Sequence, residues 1–131
     1  MNQNGRYLLD TNIAIALFSE EITVQVKVRN AAFVALAPPI IGELWYGAQK
    51  SDKASENLHR INNFVQQNAF FPCDLETAQW YGTIRDQLRR KGRPIPNNDI
   101  WIAAIAMQHD LILVTRDAHF DEVESLQTER W

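Results

Sequence analysis

Four acidic residues, far apart in the chain, end or begin segments that should sit side by side. Asp10 follows the apolar run Tyr7-Leu8-Leu9, and Asp117 follows Leu111-Ile112-Leu113-Val114 through Thr115 and Arg116. Glu43 lies within the largely apolar stretch Ile40 to Lys50, and Asp99 opens the stretch Asn97 to His109. Carboxylates gathered a few ångström apart cannot all stay ionised without a counter-charge. A hard divalent cation supplies one, and magnesium is held by a few carboxylate oxygens together with water and phosphate. Such an ion acidifies water and stabilises charge on phosphate oxygens, so the chemistry on offer is phosphodiester hydrolysis by a metal-activated water. The single cysteine, Cys73, is read as a small buried residue. His59, His109 and His119 have no metal-ligand spacing with one another and are read as structural or surface residues, so zinc is disfavoured.

The elements that would position these acids are legible as patterns. Tyr7–Leu9, Phe33–Ala37, Ala69–Pro72 and Leu111–Val114 read as short buried strands, with Pro38-Pro39 closing the second. A last strand is expected near Ser125–Gln127. Ile13–Phe18 reads as a helix. Ile22–Asn30 is ambiguous by pattern, and its length and place before a strand favour helix. Ile40–Lys50 places Ile40, Leu44 and Ala48 on one face and Glu43 and Gly47 on another. Ser55–Gln67 carries the stripe Leu58, Ile61, Phe64 and Val65. Asp74 reads as the N-cap of a helix from Leu75 to Arg90, carrying Ala78, Tyr81, Ile84, Arg85 and Leu88 and closed by Lys91-Gly92. After the extended Arg93–Pro96, Asn97 or Asn98 caps the next helix, with Asp99 in its first turn. Strands alternating with helices predict an α/β fold: a three-layer sandwich, its central parallel sheet of about five strands covered by helices on both faces. In such sheets ligands bind beyond the carboxyl ends of the strands, where strand order reverses. Asp10 and Asp117 fall at such ends, and both helix acids can face the same edge.

Taken singly, each acid has a plain structural alternative. Asp10 could simply cap the following helix, Asp99 could favour a helix dipole, and Asp117 could form a turn. Glu43 is hardest to set aside, because a charged residue is out of place in so apolar a stretch.

Composition sets the outer bounds. With 131 residues, 46% of them hydrophobic, the chain fits one domain, residues 1–131, with a real core. The net charge of −3 argues against a general nucleic-acid coat protein but leaves room for an enzyme with a local basic rim. One cysteine excludes an intramolecular disulfide. The polar start MNQNGR is unlike a signal peptide, and no stretch reaches the ~20 apolar residues of a membrane span. The expectation is a cytoplasmic protein with no membrane association.

Four segments resemble one family in order and spacing. Leu8-Leu9-Asp10-Thr11-Asn12 resembles the opening LLDTN of PIN-domain proteins, and Gly42–Gly47 resembles their ELxxG element. Asn98–Ala104 is similar to the DxxIAA helix start, and Thr115–Phe120 to the closing TxDxxF loop. The group most resembled is VapC, the toxins of VapBC toxin–antitoxin systems. That resemblance implies a PIN fold, magnesium or manganese dependence and selective endonuclease action on RNA. It also implies homodimers, and inhibition by a cognate VapB-type antitoxin whose C-terminal segment occupies the active-site groove. By position, Asp10, Glu43, Asp99 and Asp117 match the catalytic, metal-binding quartet. Thr115 matches the hydroxyl that supports the water, and Thr11 and Asn12 match the turn that orients the first acid. Arg116 receives no role.

Binding RNA requires cations. Arg85, Arg89 and Arg93, with Arg90 and Lys91, offer a basic rim, or else a helix end whose charge complements the dipole. Lys50 and Lys53 are a weaker candidate. Trp101 reads as core, while Trp45 and Tyr46 could pack or stack on bases. The alternative function is a PIN nuclease in RNA processing outside a toxin–antitoxin pair. A phosphoacceptor receiver domain would need an Asp after the third strand, where Phe71-Pro72-Cys73 stands. A dehalogenase-type phosphatase would need an Asp at position 12, which is Asn12. A binding module with a degenerate site would have lost part of the quartet.

Overall fold

The computed structural model describes residues 5–131, so most of the polar N-terminal stretch lies outside the described residues. The strands are β1 (Arg6–Leu9), β2 (Phe33–Leu36), β3 (Ala69–Phe70), β4 (Ile112–Val114) and β5 (Thr128–Glu129). The α-helices are α1 (Thr11–Phe18), α2 (Ile22–Asn30), α3 (Pro38–Lys50), α4 (Ala54–Gln67), α5 (Leu75–Lys91) and α6 (Asn97–His109). A short 3-10 turn, Ala118–Glu122, follows β4. All pairings are parallel and the order is β3-β2-β1-β4-β5. The result is the expected three-layer α/β sandwich, with helices on both faces of a five-stranded sheet.

The sheet is short but thoroughly buried. Leu8, Leu9, Ala35, Leu36, Leu113 and Val114 are fully inaccessible, as parallel strands covered on both sides must be. Helix α6 contributes the unbroken buried run Ile102–Ala106, and Phe120 seals the core beyond β4. Strand order runs outward from β1 through β2 to β3, then reverses to β4 and β5 on the other side. The crevice between the carboxyl ends of β1 and β4 is therefore the switch point.

Several local expectations shift. Pro38 and Pro39 do not merely close β2. They occupy the first turn of α3, where a missing N–H costs nothing and the fixed φ suits a helix. Helix α6 begins one or two residues earlier than its asparagines suggest: Pro96 is the N-cap, and Asn97 and Asn98 lie inside the first turn. The last strand forms at Thr128–Glu129 rather than at Ser125–Gln127, because Ser125 has φ 68° and breaks extended geometry. Cys73 is exposed, not buried, at the end of the loop into α5, directly before the N-cap Asp74. On α5, Thr77 rather than Ala78 joins Ile84 and Leu88 in the buried face. The close of α5 is as expected, with Gly92 at φ 72° supplying the left-handed cap. No helix among the described residues is long and apolar enough to cross a membrane.

Candidate active site

Asp10 stands at the carboxyl end of the central strand β1. Its backbone N–H donates to Val114 O at 2.9 Å, extending the β1–β4 pairing by one residue. The same residue caps α1, so the local structural role is real. The residue is 5% exposed, and its carboxylate accepts hydrogen bonds from Thr11 N at 2.8 Å and from the Thr115 hydroxyl at 2.7 Å. Asn12 Nδ2 adds a longer contact at 3.3 Å, and Asn12 Oδ1 accepts from Arg116 N at 3.2 Å. Thr11, Asn12 and Thr115 thus tie the ends of β1 and β4 together around one acid.

The other acids arrive from three elements. The Thr11 hydroxyl donates to Glu43 Oε1 at 2.5 Å, which brings the exposed carboxylate of α3 against the start of α1. Asp117 caps the 3-10 turn by accepting from His119 N at 2.9 Å, and its own N–H donates to Thr115 Oγ1 at 3.0 Å. Asp99, in the first turn of α6, has a side chain only 15% exposed.

The electrostatics follow from this crowding. Burial pushes the Asp10 carboxyl above its ordinary range, and the charges of Glu43 and Asp117 push the same way against the hydrogen bonds from Thr115 and Thr11. Burial likewise raises Asp99, with Asp117 and Asp10 adding to it and a hydrogen bond from His119 opposing it. Among the described residues, no lysine or arginine forms an ion pair with any of the four acids. Oxygen-rich, crowded and without a lysine or arginine partner, this donor set suits a hard divalent cation.

A histidine also enters the site. His119, expected to be a structural or surface residue, has its Nδ1 3.2 Å from Asp99 Oδ2 and 3.1 Å from Asp117 Oδ1. The side chain is still half exposed, as a surface residue would be. Spacing among histidines could not reveal it, because its partners are carboxylates. The hint was its place two residues after Asp117.

A model of the PIN domain matches residues 7–126. Ribonuclease VapC2 of Haemophilus influenzae is 34% identical over 130 residues, covering 96% of this chain and 98% of the relative. The chain belongs to the PIN-domain family, among the VapC ribonucleases. A Shigella flexneri relative, the tRNA(fMet)-specific endonuclease VapC, is also 34% identical, over 96% of this chain and 98% of its own. The crystal structure of VapBC2 from Rickettsia felis bound to a promoter DNA fragment superposes with a TM-score of 0.88 at 28% identity, covering 95% of this chain and 98% of the other. The DNA-bound VapBC of Salmonella typhimurium gives a TM-score of 0.89 at 27% identity, covering 96% and 98%.

The rest of this PIN fold places the remaining candidates. Arg85 and Arg89 line a cleft of about 560 Å³ together with Pro94, Ile95, Asn97 and Ile100, and so reach the first turn of α6. Arg89 and Arg90 share Asp86 in surface ion pairs, and Arg85 donates to the Tyr81 hydroxyl. Arg93 is exposed and is not part of the cleft lining. Arg116 gains a function in the fold: it grips Glu21 at 2.7 Å and the Trp131 carbonyl at 3.0 Å, fastening the chain's last residue beside the Asp117 loop. Trp101 is half-buried and stacked on Tyr81, with ring centres 4.2 Å apart. It also lines a groove with Glu43 and the exposed Tyr46.

Proposed function

We propose that this chain, a single PIN domain over residues 1–131, is a magnesium- or manganese-dependent endoribonuclease and the toxin half of a type II toxin–antitoxin pair. The observation that carries the reading is a cluster of carboxylates at the β1–β4 switch point, two of them raised by burial and none paired with a lysine or arginine among the described residues. Asp10, Asp99, Asp117 and Glu43 are the residues to hold the ion. When bound, such an ion supplies the missing counter-charge, polarises phosphate and makes water a stronger acid.

The chain's own groups do the rest. Thr115 and Thr11 fix the Asp10 carboxylate through both of its oxygens. Glu43 is held by one oxygen only, leaving the other without a hydrogen-bond partner among the described residues to take a proton from attacking water. The proton leaves water as its oxygen bonds to phosphorus, and the sugar oxygen departs with the bonding pair of the cleaved P–O bond. Arg85 and Arg89 supply positive charge where a phosphate chain approaches α6. Arg93 extends that rim.

The relatives named above suggest both substrate and partner. One carries a tRNA-specific name, and both solved structures are VapBC complexes. Transfer RNA is therefore the first substrate to try, and a VapB-type antitoxin is the expected inhibitor of a cytoplasmic homodimer.

The test incubates antitoxin-free protein with total bacterial RNA in Mg²⁺, in EDTA, and as Asp10→Asn. Discrete fragments that appear only for the wild type with metal are the expected result, and end-mapping then names the RNA. Cleavage that survives Asp10→Asn would overturn the assignment of the acids.

A further inference from the structure

The position of His119 goes beyond an acidic quartet. Its Nδ1 faces two carboxylate oxygens at nearly equal distance, Asp99 Oδ2 at 3.2 Å and Asp117 Oδ1 at 3.1 Å. An imidazole nitrogen carries at most one proton. One proton cannot make two well-directed hydrogen bonds, and the neutral tautomer without it sets three lone pairs against one another. A cation among the three atoms satisfies all of them together. The spacing suits one: ligands about 2.1 Å from an octahedral ion, in neighbouring positions, lie about 3.0 Å apart. One donor atom from each of Asp99, Asp117 and His119 fits within a 4.8 Å span.

The backbone makes this arrangement durable. His119 N donates to the Asp117 carboxylate at 2.9 Å, so ring and carboxylate ride on one 3-10 turn. Phe120, the next residue, is 1% exposed and anchors that turn in the core. His109, by contrast, stacks on Phe71 at 4.0 Å. The nitrogen matters to metal choice. Mg²⁺ takes oxygen ligands and gives up water reluctantly, whereas imidazole suits first-row transition ions.

We propose that His119 binds the site's divalent cation through Nδ1, alongside Asp99 and Asp117, and so favours Mn²⁺ over Mg²⁺. The inference rests on the metal-dependent reading of the site given above. It adds a ligand outside the four acids and a preference between ions.

The test uses the full chain with Mn²⁺ or Mg²⁺ alone, without RNA. Calorimetry measures binding, and electron spin-echo spectroscopy of bound Mn²⁺ looks for coupling to a directly bound nitrogen. The wild type should show that coupling. His119→Gln, at an exposed position where folding is not at stake, should still bind Mn²⁺ but without it. Its Mn²⁺ affinity should fall about tenfold or more, with Mg²⁺ affinity much less affected. Mn²⁺ binding without nitrogen coupling, or coupling that survives His119→Gln, would overturn the inference while leaving the acidic site standing. Equal losses for both ions would remove the preference. No binding of either ion to folded wild-type protein would sink the metal reading itself and this inference with it.

Discussion

Two aspartates in this molecule look alike in sequence and do opposite things. Asp10 and Asp74 each follow a strand, and each caps the helix that comes next. Asp74 caps α5 in a reciprocal box, accepting from Thr77 N at 3.1 Å while Thr77 Oγ1 accepts from Asp74 N at 3.0 Å. The Thr77 hydroxyl at 3.0 Å and Gln108 Nε2 at 2.9 Å also face the Asp74 carboxylate. Those hydrogen bonds, the one from the Thr77 backbone foremost, hold the exposed Asp74 carboxyl below its ordinary range. Asp10 has donors too, yet burial and two neighbouring carboxylates push it the other way. The difference lies in where the preceding strand sits. Asp74 follows the edge strand β3, open to water, and Asp10 follows the central strand β1, at the switch point. A cap on an edge stabilises a helix. A cap at the centre, crowded by other acids, stores repulsion that a cation can relieve.

The widest gap should appear in catalysis. Asp10→Asn is expected to lower RNA cleavage on the order of 10²–10³-fold, while Asp74→Ala should leave the rate per folded molecule little changed. Equal losses in a cleavage time course would erase the distinction between the two caps.

Metal should separate them next. At a hundredfold excess over its dissociation constant, a ligand that binds only the folded state stabilises it by about 2.7 kcal/mol. Mn²⁺ at that level should raise the melting temperature of wild type and Asp74→Ala by roughly 5–10 °C. Asp10→Asn and Asp99→Asn should respond far less, and a full response from either in a thermal scan would remove that acid from the metal site.

Without metal, the order of stabilities should invert. Loss of the Asp74 cap should lower the melting temperature by roughly 2–6 °C. Asp99→Asn, which removes a charge raised mainly by burial, should raise it by roughly 1–3 °C. An unchanged or lower melting temperature for Asp99→Asn in chelator would show that the crowding carries no strain.

The smallest effect is in the pH dependence, and its sign differs between the two groups. Asp74 has a folded pKa below its unfolded value, so its stabilisation is complete above about pH 3.9 and disappears as pH falls through the folded value. Asp99 has a folded pKa above its unfolded value, for burial first and the nearby carboxylates after it. Its charge penalty is complete above the folded pKa and lifts as pH falls through it. Metal-free melting curves should therefore show the advantage of Asp99→Asn shrinking on acidification from neutrality. The deficit of Asp74→Ala should persist until about pH 4.

Much of this was legible in the chain because the elements announce themselves locally. Leu8-Leu9 running into Asp10, and Leu113-Val114 running into Thr115, are short apolar runs with abrupt polar ends, and both form where expected. Ile40, Leu44 and Ala48 face inward from α3 and leave Glu43 exposed. The misplacements arise where local pattern does not decide the outcome. Thr128–Glu129 is a strand only because β4 offers its edge, and two residues carry no periodicity. Cys73 is exposed because the β3–α5 connection runs over the surface, which a small apolar side chain cannot signal. Pro96 caps α6 through backbone geometry alone, with no side-chain bond.

The sequence by itself determined the alternation of strands and helices, the acids at their ends and the family to which the pattern belongs, because periodicity and turn chemistry act between neighbours in the chain. Only the tertiary structure decided that Asp10 is charged with difficulty while Asp74 is charged with ease, that Arg116 clasps Glu21 and the last residue, and that His119 closes on Asp99 and Asp117. Burial and Coulomb interactions depend on distance in space, and the sheet's reversal at β1 and β4 sets those distances.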